Sequence, residues 1–131
     1  METKSVLENV ELPEISIDLV EACELYGKYF DGRNKEEIEG MVKEYKMFWK
    51  LIKKYPKRPF SPTKSIDEVW HLHMLHPQNY YPDCKGYFNG ILTHKAGFGK
   101  KSEELPVLGE ISETGNDIWE KEYGYRLEGT E

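Results

Sequence analysis

Between Asn34 and Pro56 the chain carries Ile38, Met41, Val42, Tyr45, Phe48, Trp49 and Ile52. This apolar series keeps the helical period for about four turns, a stripe that other elements must cover. Asn34 followed by Glu37 predicts a capping box at its start. Pro56 disfavours helical geometry in the residue before it and marks the stop. Lys50, Lys53 and Lys54 crowd the C-terminal end, where cations complement the helix dipole. With Lys57 and Arg58 they form a basic cluster that can be read as an anion site; a solvated helix end is the simpler reading.

The neighbouring segments read the same way. Leu19, Cys23, Tyr26 and Phe30 recur on one helical face, with Ser16 or Asp18 as the cap and Asp31-Gly32-Arg33 as the close. After a proline-framed loop, Ser65 and Glu68 predict a second capping box and a third helix running to about Leu75. A shorter fourth helix is expected over Gln78–Phe88, with Pro82 a local defect in its first turns. Gly86, Asn89 and Gly90 close it. Helical potential returns only at Asp117–Tyr123, beyond a glycine-marked loop at Gly97-Phe98-Gly99. The expected fold is all-α, a compact bundle of four to five helices with an irregular glycine-marked loop near the C-terminal third. Residues 1–15 read as an N-terminal arm, 16–124 as a single helical domain and 125–131 as a frayed tail.

Composition narrows the function classes. The 131 residues carry 18 Lys and Arg against 24 Asp and Glu, a net charge of −6. A general nucleic-acid binder needs the opposite balance to neutralise phosphates, so no nucleic-acid partner is expected. No apolar run approaches the roughly 20 residues that span a bilayer, and no membrane partner is expected either. Met1-Glu2-Thr3-Lys4 does not begin a secretory signal. Cys23 and Cys84 stand far apart, with no disulfide framework. A soluble, cytoplasmic domain is the expectation.

All four histidines fall between positions 71 and 94, in a window that also holds Asp67, Glu68, Tyr80, Asp83 and Cys84. Imidazole, carboxylate and thiolate are the side chains that ligate zinc and other transition metals. Helical geometry limits their combinations. Each residue advances about 100°, so His71 and His73 point almost opposite ways, whereas Asp67 and His71 share a face. Glu68 and His71 have the Glu-x-x-His spacing of di-iron helices, but the second copy that such a site requires is absent. His94, beyond a turn, is able to return to the Asp67 and His71 face. Trp70, Leu72, Met74 and Leu75 read as core, Cys84 as a small buried hydrophobe, and His76 as a helix-end residue. No phosphate loop, dinucleotide fingerprint, zincin motif or nucleophile elbow is present.

Asp67-x-x-Trp70-His71-x-His73, together with Tyr80, Asp83-Cys84, Phe88, Gly90, His94 and Phe98-Gly99, resembles the glycine-rich domain-containing protein-like family. Glu44-Tyr45-x-x-Phe48, Tyr55-Pro56-x-x-Pro59 and Ser61-Pro62 resemble its small bacterial members. The resemblance runs from about position 44 to 99 and implies a mainly helical domain, without implying a particular activity. Plant members carry an RNA-binding segment and a glycine-rich tail that this sequence lacks, so RNA binding does not carry over. His76 and Pro82 depart from the family pattern.

Two functions follow as expectations. In the first, His71 and His94 are primary ligands of an iron, copper or zinc ion, His73 is a third, and Asp67 ligates or orients an imidazole. Such an ion would support redox or hydrolytic chemistry on an unidentified small molecule or peptide, with Tyr80 or Cys84 nearby. In the second, the domain is a non-enzymatic protein-interaction module, and Trp70 and the histidines form a polar-lined core without metal.

Overall fold

The apolar stripe after Asn34 becomes the longest element of the computed structural model, which describes residues 10–93 and 105–127. In chain order the helices are α1 (Leu19–Tyr26), α2 (Lys35–Lys54), α3 (Lys64–Met74), α4 (Pro77–Phe88) and α5 (Leu105–Tyr123). A 3-10 turn, Lys28–Phe30, lies between α1 and α2, and the described residues contain no strand. The fold is all-α, as expected. The Gly97–Gly99 loop lies outside the described residues, as does His94.

The capping box of α2 forms as its sequence predicts. Asn34 Oδ1 accepts the Glu37 N–H at 2.8 Å, and Glu37 Oε1 accepts the Asn34 N–H at 3.2 Å. α2 buries Ile38, Val42, Tyr45, Met47, Phe48, Trp49 and Leu51. Met47 and Leu51 widen the expected stripe because α2 packs against both α1 and α3. Each large apolar side chain contributes about 1.5–3 kcal/mol by leaving water, so this helix anchors the core. At its end Lys54 pairs with Glu122 of α5 at 2.8 Å, and Lys53 lies 4.3 Å from the Tyr87 ring centroid. These two members of the basic cluster are thus engaged within the fold.

Three boundaries differ from the sequence reading. Asp18 caps α1, but the helix ends at Tyr26 rather than continuing to Phe30. Gly27 takes an extended conformation there, and a Cβ on it would lie 2.5 Å from the Phe30 ring. The break lets Phe30 turn inward to 3% exposure and leaves Tyr26 at 66%, off the buried face. At α3 the cap is Thr63, whose Oγ1 accepts the Ile66 N–H at 3.1 Å; Ser65 does not cap. Thr63 is extended and its hydroxyl satisfies a first-turn N–H, so the helix starts two residues early. Glu68 is then free to pair with Lys64 at 2.8 Å, one turn away.

The third difference is α5, which begins twelve residues before the expected Asp117. Pro106, Gly109 and Gly115 obscure the helical signal in the sequence. Gly115 has a packing reason: a Cβ there would lie 3.3 Å from the Phe60 ring. Trp119 is 1% exposed, and beyond the helix Leu127 is buried too. Among the described residues no helix is long and apolar enough to cross a membrane.

Candidate functional site

α3 resolves the histidine cluster by register. Its apolar residues Ile66, Val69, Trp70 and Leu72 face the core, and His73 lies on that same inner side at 0% exposure. His71, two residues earlier, points away, with its side chain 41% exposed. The two imidazoles therefore do not share a site, as the 100° advance requires. His71 Nε2 instead lies 3.6 Å from Asp67 Oδ2, one turn back. His76 precedes α4, and its Nδ1 donates to the Leu72 carbonyl at 2.7 Å.

His73 sits at the centre of a closed polar network. Its Nδ1 lies 2.8 Å from the Tyr45 hydroxyl and its Nε2 2.8 Å from Asp83 Oδ2. A carboxylate can only accept, so Nε2–H donates to Asp83 and Tyr45 O–H donates to Nδ1. Asp83 Oδ2 also accepts the backbone N–H and the hydroxyl of Ser16, each at 3.0 Å. The imidazole ring stacks on Trp49 with centroids 5.4 Å apart, and Tyr80 meets it edge-on at 4.9 Å. Tyr80 in turn accepts the Trp70 indole N–H at 3.0 Å and donates to the Leu92 carbonyl at 2.5 Å.

The electrostatics follow from burial. Desolvation lowers the His73 pKa from its ordinary 6.5, against the opposing pull of the Asp83 carboxylate. Burial pushes the Tyr45 hydroxyl well above its ordinary range. The Cys84 thiol, at 0% exposure, is also raised by burial, and Cys23 is pushed up to about 12. Burial thus favours the neutral thiol over the thiolate at both cysteines.

Because the folded state favours neutral His73, stability is fully present above about pH 6.5 and declines as pH falls toward the lower folded pKa. Thermal melts from pH 7.5 to 5 are expected to show this loss, and His73→Gln should flatten the curve. An unchanged slope in the variant would assign the effect to other groups. The Glu122 carboxyl titrates in a separate, more acidic window. Burial raises its pKa, but hydrogen bonds from Lys54 and Tyr55 outweigh burial and hold it below the ordinary 4.5.

Of the four candidate ligands, the structure pairs Asp67 with His71 and places His73 in a different environment. Among the described residues, no three His, Cys, Asp or Glu side chains converge as a metal-holding group. Tyr45, Trp49 and Ser16 belong to the His73 network, yet the sequence reading did not join them to it. Their separations in sequence from His73 and Asp83 are long, and only the helix pairing brings them together. The Ile-Ser-Ile pattern of the arm gave no separate signal.

Fold and network together describe a small helical domain built around a hydrogen-bonded histidine in an aromatic shell. Over 92% of its length the chain is 27% identical, across 141 aligned residues, to glycine-rich domain-containing protein 1 of Arabidopsis thaliana. It spans 17% of that relative's length. No family model matches the chain, and no solved structure matches it.

Proposed function

We propose that this is a non-enzymatic protein-interaction domain whose His/Trp/Tyr centre is structural. The observation that carries this reading is His73: its ring is fully buried, and both nitrogens already have partners at 2.8 Å. General acid–base work requires a nitrogen within reach of a substrate proton, and metal ligation requires a free lone pair. His73 offers neither without dismantling the core. Net charge of −6 further favours a protein or peptide partner over a nucleic acid.

The competing metal reading retains one supporting contact, the half-exposed His71 beside the buried Asp67 one turn back on α3. Metal analysis of protein purified without a His tag separates the two. The expected result is no stoichiometric iron, copper or zinc, and no change in melting temperature on adding a chelator. His71→Ala and His76→Ala should behave alike in added metal. Stoichiometric metal that is lost in His71→Ala but kept in His76→Ala would overturn the proposal in favour of a site at Asp67, His71 and His94.

A further inference from the structure

The arm that precedes α1 is held by one face of α4. Asn79, Asp83 and Tyr87 recur every four residues there, so they stand in a row about 12 Å long. Each is hydrogen-bonded to the arm. Asn79 Nδ2 donates to the Ser16 carbonyl at 3.4 Å and to its hydroxyl at 3.1 Å. Asp83 accepts the Ser16 N–H and hydroxyl at 3.0 Å. Tyr87 donates to the Glu11 carbonyl at 2.5 Å. Glu11 lies by Tyr87 and Ser16 by Asp83 and Asn79, so the arm runs antiparallel to α4.

Most of these contacts read backbone, and the side-chain requirements are few. A hydroxyl meets Asp83, while Ile15 and Ile17 on either side pack against the core. The outer side of the arm is solvated, with Glu11, Leu12 and Glu14 exposed, while Pro13 is buried. Where the arm turns into α1, a cleft of about 310 Å³ separates it from Val42 and Lys46 of α2. The strap is therefore fastened along α4 and incompletely packed along α2. Backbone recognition by a row of side chains, with aliphatic positions flanking one specific contact, is how receptors take up extended peptides.

We propose that this face of α4 is a peptide-binding site that the chain's own residues 11–16 occupy in cis. Its partner is an extended peptide with a hydroxyl residue between two aliphatic residues, which takes the strap's place. The inference rests on the interaction-domain reading and names the partner class for it. The linked arm has the advantage of high local concentration, so a free peptide binds only after the arm is weakened.

The test uses the full chain and a fluorescein-labelled synthetic peptide of residues 10–18. Ser16→Asp sets a carboxylate against Asp83 and should release the arm while leaving α4 unaltered. Fluorescence anisotropy is expected to show peptide binding at least about tenfold tighter to this variant than to the unaltered chain. Adding Tyr87→Phe should weaken it again, and a peptide carrying Ser16→Asp should not bind. Ile15→Asp, which weakens the arm by a different contact, is the second variant and decides the matter if Ser16→Asp loses its helical circular dichroism. Folded variants that bind the peptide no better than the unaltered chain would overturn the proposal. So would a dimer formed by arm exchange that excludes the peptide. Failure here, with no stoichiometric metal found, leaves the non-enzymatic reading standing; metal lost in His71→Ala would overturn that reading itself.

Discussion

Replacing His73 with alanine is expected to cost about 3–5 kcal/mol, a large fraction of the stability of a domain this size. Three losses combine. The Tyr45 hydroxyl is stranded in the core, Asp83 loses the donor at 2.8 Å that balances its buried carboxylate, and a void opens against Trp49. His71→Ala, by contrast, removes a side chain that is 41% exposed, and should change stability by about 0.5 kcal/mol. Urea denaturation of the two variants checks the contrast. Equal, small effects would mean that the His73 network contributes little to folding.

Asp83→Ala should be comparably severe, at about 3–5 kcal/mol. One carboxylate oxygen serves His73 Nε2, the Ser16 N–H and the Ser16 hydroxyl, so its removal strands donors in both the core and the arm. Because the two residues share a bond, the double variant should cost less than the sum of the singles, by about 0.5–3 kcal/mol. Strict additivity of the two losses in urea denaturation would contradict the direct pairing. Limited proteolysis adds a readout specific to the arm: Asp83→Ala should expose residues 10–18 to cleavage under conditions where the helices remain protected.

The contrast between His71 and His73 shows how far local rules reach. Helical arithmetic alone places them on opposite faces, and α3 keeps that register. The i, i+4 spacing of Asp67 and His71 points to their face as the chemical one. The core side was decided by Trp70, Ile66 and Val69 packing against α2, which carries His73 inward with them. The same limit appears at Phe30. Its spacing from Leu19 and Cys23 fits one continuous helix, but the ring reaches the core through a break at Gly27. A period counts positions along one helix and has no means to detect a bend whose benefit is a distant contact.

Capping and patterning in the sequence suffice for the helical class and for α2, because they depend on residues within a turn or two of one another. Asn34 and Glu37 make their own cap, the apolar stripe makes its own face, and Asn89 makes the left-handed close of α4. The tertiary structure decided the character of the site. Tyr45 and His73 are 28 residues apart, and Ser16 and Asp83 are 67 apart. No local rule pairs them; they meet because α3 packs on both α2 and α4 and because the arm folds back along α4. A cluster of histidines close in sequence was thereby divided, with one imidazole sealed into the core by partners that lie far along the chain.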